Sequence, residues 1–85
     1  MPTVLRAGGF RVVIYLPPRE HRPPHVHVYH ADGEAVILLA ESDTPQTVRE
    51  VTGMRAADVV AAFRLVEAHT ESLLERWRHY HGDAG

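Results

Sequence analysis

The side chains able to move a proton or hold a cation concentrate in one stretch, His21-Arg22-Pro23-Pro24-His25-Val26-His27-Val28-Tyr29-His30. It contains four of the seven histidines of an 85-residue chain. Imidazole has an ordinary pKa of ~6.5, so it can act as general base, general acid or neutral metal ligand near pH 7 without exceptional tuning. Pro23 and Pro24 remove two backbone donors and hold the approach extended. Val26 and Val28 then alternate with His25 and His27 as a strand requires, which places both histidines on one face. A regular strand turns His30 to the opposite face, and His21 sits before the prolines on a loop that can fold back.

Three chemistries fit this constellation. In the first, His21, His25 and His27 form an acid–base site that cleaves RNA with no cofactor. One imidazole takes the proton of a 2′-hydroxyl and another protonates the leaving oxygen. Arg6, Arg11 or Arg22, with Tyr15, contacts the phosphate. In the second, His25 and His27 converge on a divalent metal such as zinc, nickel or copper, and His21 or Glu20 completes the set. In the third nothing is catalysed, and the histidine face is a binding surface for a protein partner. Nucleophilic catalysis is poorly supported, because there is no cysteine and Ser42 and Ser72 lack a glycine-bounded elbow. Gly8-Gly9 precedes a strand, so it is not a phosphate-cradling loop at a helix start.

The elements that must position these groups are legible in the pattern. Thr3 to Arg6 and Phe10 to Leu16 read as strands joined by Gly8-Gly9, residues that suit a two-residue hairpin turn. That turn sets Leu5 against Val12 and Arg6 against Arg11. Leu5, Phe10, Val12, Ile14 and Leu16 then form the core face, and Val4, Arg6, Arg11, Val13 and Tyr15 the other. Two arginines side by side on a sheet repel unless an anion or an acid answers them. Residues 17–24 hold four of the six prolines, a stiff loop presenting Arg19, Glu20, His21 and Arg22.

After the histidine strand, Asp32-Gly33 reads as a hairpin turn, which sets Ala31 against Glu34, Val28 against Ile37 and His27 against Leu38. Val26, Val28, Ile37 and Leu39 share the core face. Val36 to Ala40 is apolar without alternation, so both sides of that strand are expected to be covered, the second by a pocket or a partner subunit. A short fifth strand spans Thr47 to Val51. Beyond Gly53, the residues Val59, Phe63, Val66, Leu73, Trp77 and Tyr80 recur at spacings of three and four, with Thr70 the polar member, and predict one long helix. Arg64, Glu67, Glu71, Glu75 and Arg78 form its solvated side, Gly82 ends it, and His79 and His81 are expected at its frayed end.

Several of these residues carry a family resemblance. Pro2-Thr3-Val4-Leu5-Arg6, Gly9-Phe10-Arg11, Tyr15, Glu20-His21-Arg22-Pro23-Pro24-His25-Val26-His27-Val28, Leu65-Val66-Glu67 and Leu73-Leu74-Glu75-Arg76-Trp77 together resemble the DUF4160 family of small bacterial proteins. The family's name records an unknown function. The resemblance implies a gene set beside that of another small protein, as in toxin–antitoxin modules. Arg55 stands where relatives tend to carry a Ser or Thr helix cap.

The expected architecture is therefore α+β: an antiparallel sheet of four or five strands, built from two hairpins and packed on one C-terminal helix, with residues 1–85 as a single domain. Hydrophobic residues make up 45% and charged residues 24%, which argues against disorder and a membrane span. So short a chain gains from association, and a homo-oligomer or a small protein partner from a neighbouring gene is expected. The absence of a leader-like segment before Thr3 points to the cytoplasm. The net charge of −2 hides an asymmetry. Residues 1–30 set four arginines against Glu20, and residues 31–85 set five arginines against ten acids. The positive half can attract an anion such as RNA phosphate, or the two halves can simply pair. Every basic residue is arginine.

Overall fold

The computed structural model of the chain describes residues 3–17 and 21–82. Five strands precede two helices: β1 (Thr3–Ala7), β2 (Phe10–Val13), β3 (His25–His30), β4 (Gly33–Leu38), β5 (Thr47–Thr52), α1 (Ala56–Ala68) and α2 (Thr70–His81). The strands pair antiparallel in the order β1-β2-β3-β4-β5, so the expected α+β meander is present with its fifth strand. One face of the sheet packs on the helices. Val12, Ile14, Val26, Val28, Ala35, Ile37 and Leu39 meet Ala62, Val66, Leu73 and Trp77 there in one buried core.

The first hairpin forms as the glycines dictate. Gly8 and Gly9 have φ of 55° and 82°, the left-handed values that a side chain resists, and Leu5 pairs with Val12 and Arg6 with Arg11. Two details depart from simple alternation. The register shifts between Thr3 and Leu5, and Val4 falls against the core instead of on the opposite face. Leu16, expected in the core, is 50% exposed because β2 stops at Val13 and the chain leaves the ladder.

The second hairpin corrects the expected turn. His30 pairs with Gly33, Val28 with Ala35 and His27 with Val36, so the turn residues are Ala31 and Asp32, and Ala31 takes φ of 52°. Gly33 is needed elsewhere. A Cβ on it would lie 2.4 Å from the carbonyl oxygen of Gly53, so the glycine serves close backbone approach inside β4 and not the turn. The register moves by two residues, which preserves the faces. Val26, Val28, Ile37 and Leu39 are buried together as expected.

The helical stretch divides at His69, whose φ and ψ of −124° and 22° are not helical, giving two helices where one was expected. The cause is local hydrogen bonding. His69 Nδ1–H donates to the Leu65 carbonyl at 2.9 Å, and the Thr70 hydroxyl donates to the carbonyl of Glu67 at 3.1 Å. The buried stripe survives the break, since Val66 and Leu73 lie seven residues apart and return to the same side. Arg55 makes no side-chain cap bond, and Gly82 closes α2 in the left-handed conformation. No helix of the described residues is long and apolar enough to cross a membrane.

Candidate functional site

The face of the sheet away from the helical core is where the chemistry gathers. In one row across it, Val13 on β2 and Val36 on β4 flank His27 on β3; in the next, Arg11 and Glu34 flank Tyr29. Val13 is fully buried and Val36 is 6% exposed. Their own neighbours cover them, and no partner subunit is required to bury that side of β4.

Four side chains interlock above this floor. His27 Nδ1–H donates to Glu34 Oε2 at 2.6 Å, which in the neutral ring fixes the lone pair at Nε2. The hydroxyls of Tyr15 and Tyr29 share a hydrogen bond of 2.6 Å. The His27 ring meets that of Tyr15 edge-on at 4.8 Å and stacks along that of Tyr29 at 6.4 Å. Burial, the Tyr15 hydrogen bond and the negative charge of Glu34 together push the Tyr29 hydroxyl well above the ordinary tyrosine range. Tyr29 therefore keeps its proton across the physiological range.

His25 joins the group from beneath. Its ring lies 5.4 Å from that of His27, so the two histidines share a face, as the alternation predicts. His25 is 3% exposed, its Nδ1–H donates to the Pro23 carbonyl at 2.8 Å, and its ring packs 5.0 Å from Trp77. Trp77 in turn stacks on His81 at 3.7 Å, and His81 Nε2–H donates to the Tyr15 carbonyl at 2.9 Å. His81 is thus no frayed end: it ties the last turn of α2 to the stretch that carries Tyr15. His79 is exposed.

The remaining expected site residues disperse. Arg11 lies with its guanidinium carbon 4.9 Å above the Tyr29 ring and donates to the Thr3 hydroxyl at 3.4 Å, while pairing with Arg6 across the hairpin. Arg6 is exposed on β1. Arg22 Nη2 contacts Glu41 Oε2 at 3.4 Å, and the peptide between Arg22 and Pro23 is cis. His21 is exposed on the loop before it. His30 is on the opposite face, stacked on Phe10 at 4.5 Å and 3.8 Å from Asp58 on α1. Arg19, and Glu20 as a possible third metal ligand, lie outside the described residues, among which no group of three His, Asp or Glu side chains could hold a metal ion.

Glu34 is the residue that sequence reasoning missed. The Asp32-Gly33 turn sets it opposite Ala31, whereas the observed register sets it beside Tyr29 and within reach of His27. The available signal was its position two residues before Val36 and four before Leu38, a lone acid on the histidine side of an otherwise apolar strand.

No curated protein and no solved structure matches the chain. The family model described as "Domain of unknown function (DUF4160)" matches residues 9–78, a span that takes in every strand after β1, all of α1 and most of α2. The chain belongs to the DUF4160 family.

Proposed function

We propose that this protein is the RNA-cleaving component of a toxin–antitoxin pair, with the His27–Glu34 dyad as its proton-transfer group. The observation that carries this reading is the 2.6 Å contact through Nδ1, since a carboxylate that holds one imidazole nitrogen presents the other as the base. In the reaction His27 Nε2 takes the proton of a 2′-hydroxyl, the 2′-oxygen bonds to phosphorus, and the bond to the 5′-oxygen breaks. Solvent protonates the departing 5′-oxygen. The Tyr29 hydroxyl and the Arg11 guanidinium donate to the phosphate oxygens as charge grows on them. His25 acts as a positioning residue, held between Pro23 and Trp77. The gene-pair setting implied by the family resemblance supports RNA as the target.

The experiment is an RNA cleavage assay with purified protein in EDTA, paired with induction of the gene alone. Growth arrest and products ending in 2′,3′-cyclic phosphate and 5′-hydroxyl are expected. Cleavage abolished by EDTA would transfer the site to the divalent-metal reading. Folded protein with no cleavage from pH 5 to 8 and no effect on growth would leave a partner-binding module in its place.

A further inference from the structure

One of the two edges of the sheet, β5, carries a self-complementary sequence. β5 reads Thr47-Val48-Arg49-Glu50-Val51-Thr52, and all six residues are exposed. Read in either direction it gives hydroxyl, valine, charge, opposite charge, valine, hydroxyl. Laid antiparallel against a second copy, Thr47 faces Thr52, Val48 faces Val51 and Arg49 faces Glu50, each pair occurring twice.

Symmetry imposes a further condition that a regular strand would fail. A two-fold axis perpendicular to a sheet sets facing residues on the same side of it, so Val48 and Val51 must lie on one side of β5 and Thr47 and Thr52 on the other. Three residues apart, Val48 and Val51 would normally alternate to opposite sides. The irregularity between Val36 and Ile37 removes the conflict. Val36 pairs with Glu50 and Ile37 with Val48, which leaves Arg49 as an extra residue. Val48 and Val51 therefore pair with Ile37 and Ala35, both core-facing, while Thr47 and Thr52 pair with Leu38 and Glu34 on the histidine side.

The neighbouring helix continues the pattern. Val48 lines an apolar groove with Val59, Val60 and Phe63 of α1, rimmed by Arg64 and Glu67. Val48, Val51 and Val60 are 39%, 43% and 50% exposed, an apolar strip along the strand edge. Arg64 and Glu67 stand one turn apart, so two antiparallel copies of α1 can also match charge to charge. Edge strands are commonly protected by charges of one sign; here the charges are adjacent and opposite, and two-fold pairing satisfies them.

We infer that β5 is the dimerisation edge of this protein, joining two five-stranded sheets into one through an isologous contact with a second copy. This inference is independent of the RNA reading. Its test is sedimentation equilibrium up to about 100 μM, a range in which moderate interfaces form, with far-UV circular dichroism confirming the fold of each variant. The parent is expected to dimerise. Arg49→Glu and Glu50→Arg each turn two attractive pairs into repulsive ones and should raise the dimer Kd by about tenfold. The double variant Arg49→Glu/Glu50→Arg restores complementarity and should dimerise like the parent. A monomeric parent, single reversals without effect, or a double variant as weak as the singles would each overturn the assignment. In the first case, protection of β5 only by an added protein strand would identify a different occupant.

Discussion

The group that governs this site is an imidazole held from both directions, by Glu34 at Nδ1 and by the stacked and edge-on rings of Tyr29 and Tyr15. Tyr29 gives that environment a measurable consequence. The folded protein keeps the Tyr29 proton above the ordinary tyrosine range, so beyond pH ~10 the unfolded chain binds fewer protons than the folded one. Stability supplied by the protonated hydroxyl is thus complete below that pH and falls as pH rises further. Urea midpoints measured from pH 8 to 11 should decline more steeply for the parent than for Tyr29→Phe. Parallel declines would show that Glu34 and burial do not hold the proton. At this scale sequence reading located His25, His27, Tyr15 and Arg11 on one face but not Glu34, because a carboxylate's partner depends on cross-strand register. Gly33, which a turn at Asp32-Gly33 would use, instead lies in β4 against the Gly53 backbone, a contact distant in sequence.

Among the elements, α2 does more than cover the core. Trp77 is fully buried between His25 and His81, which joins the histidine strand to the stretch after β2 that presents Tyr15. Trp77→Ala should cost about 3–5 kcal/mol by thermal or urea unfolding, a large share of the stability of so small a fold. An unchanged melting temperature would show that the stripe faces something other than the core. The helical periodicity and its buried and solvated sides were readable from spacing alone. The break at His69 was not, since side-chain bonds from His69 and Thr70 to preceding carbonyls leave the period of Val66 and Leu73 intact. For the same reason His81, beyond the last apolar residue of the stripe, gave no sign of its bond to Tyr15.

Across the whole molecule, the charge asymmetry is answered in part within the fold. Arg22 meets Glu41, while Arg11 rests on the Tyr29 ring and Arg6 is exposed on β1. In the proposed RNA reading the phosphate contacts are local, made by Arg11 where it lies over the Tyr29 ring. In the proposed reaction His27 moves the proton and Glu34 orients the His27 ring. The most direct measurement is the single-turnover rate of RNA cleavage in EDTA for the parent, His27→Ala and Glu34→Gln, with folding monitored by circular dichroism. The expected result is a loss of about 10²–10⁴ for His27→Ala, the usual contribution of a positioned base, with a smaller loss for Glu34→Gln, and the fold intact in both. Folded His27→Ala that cleaves RNA at the parent's rate would contradict it.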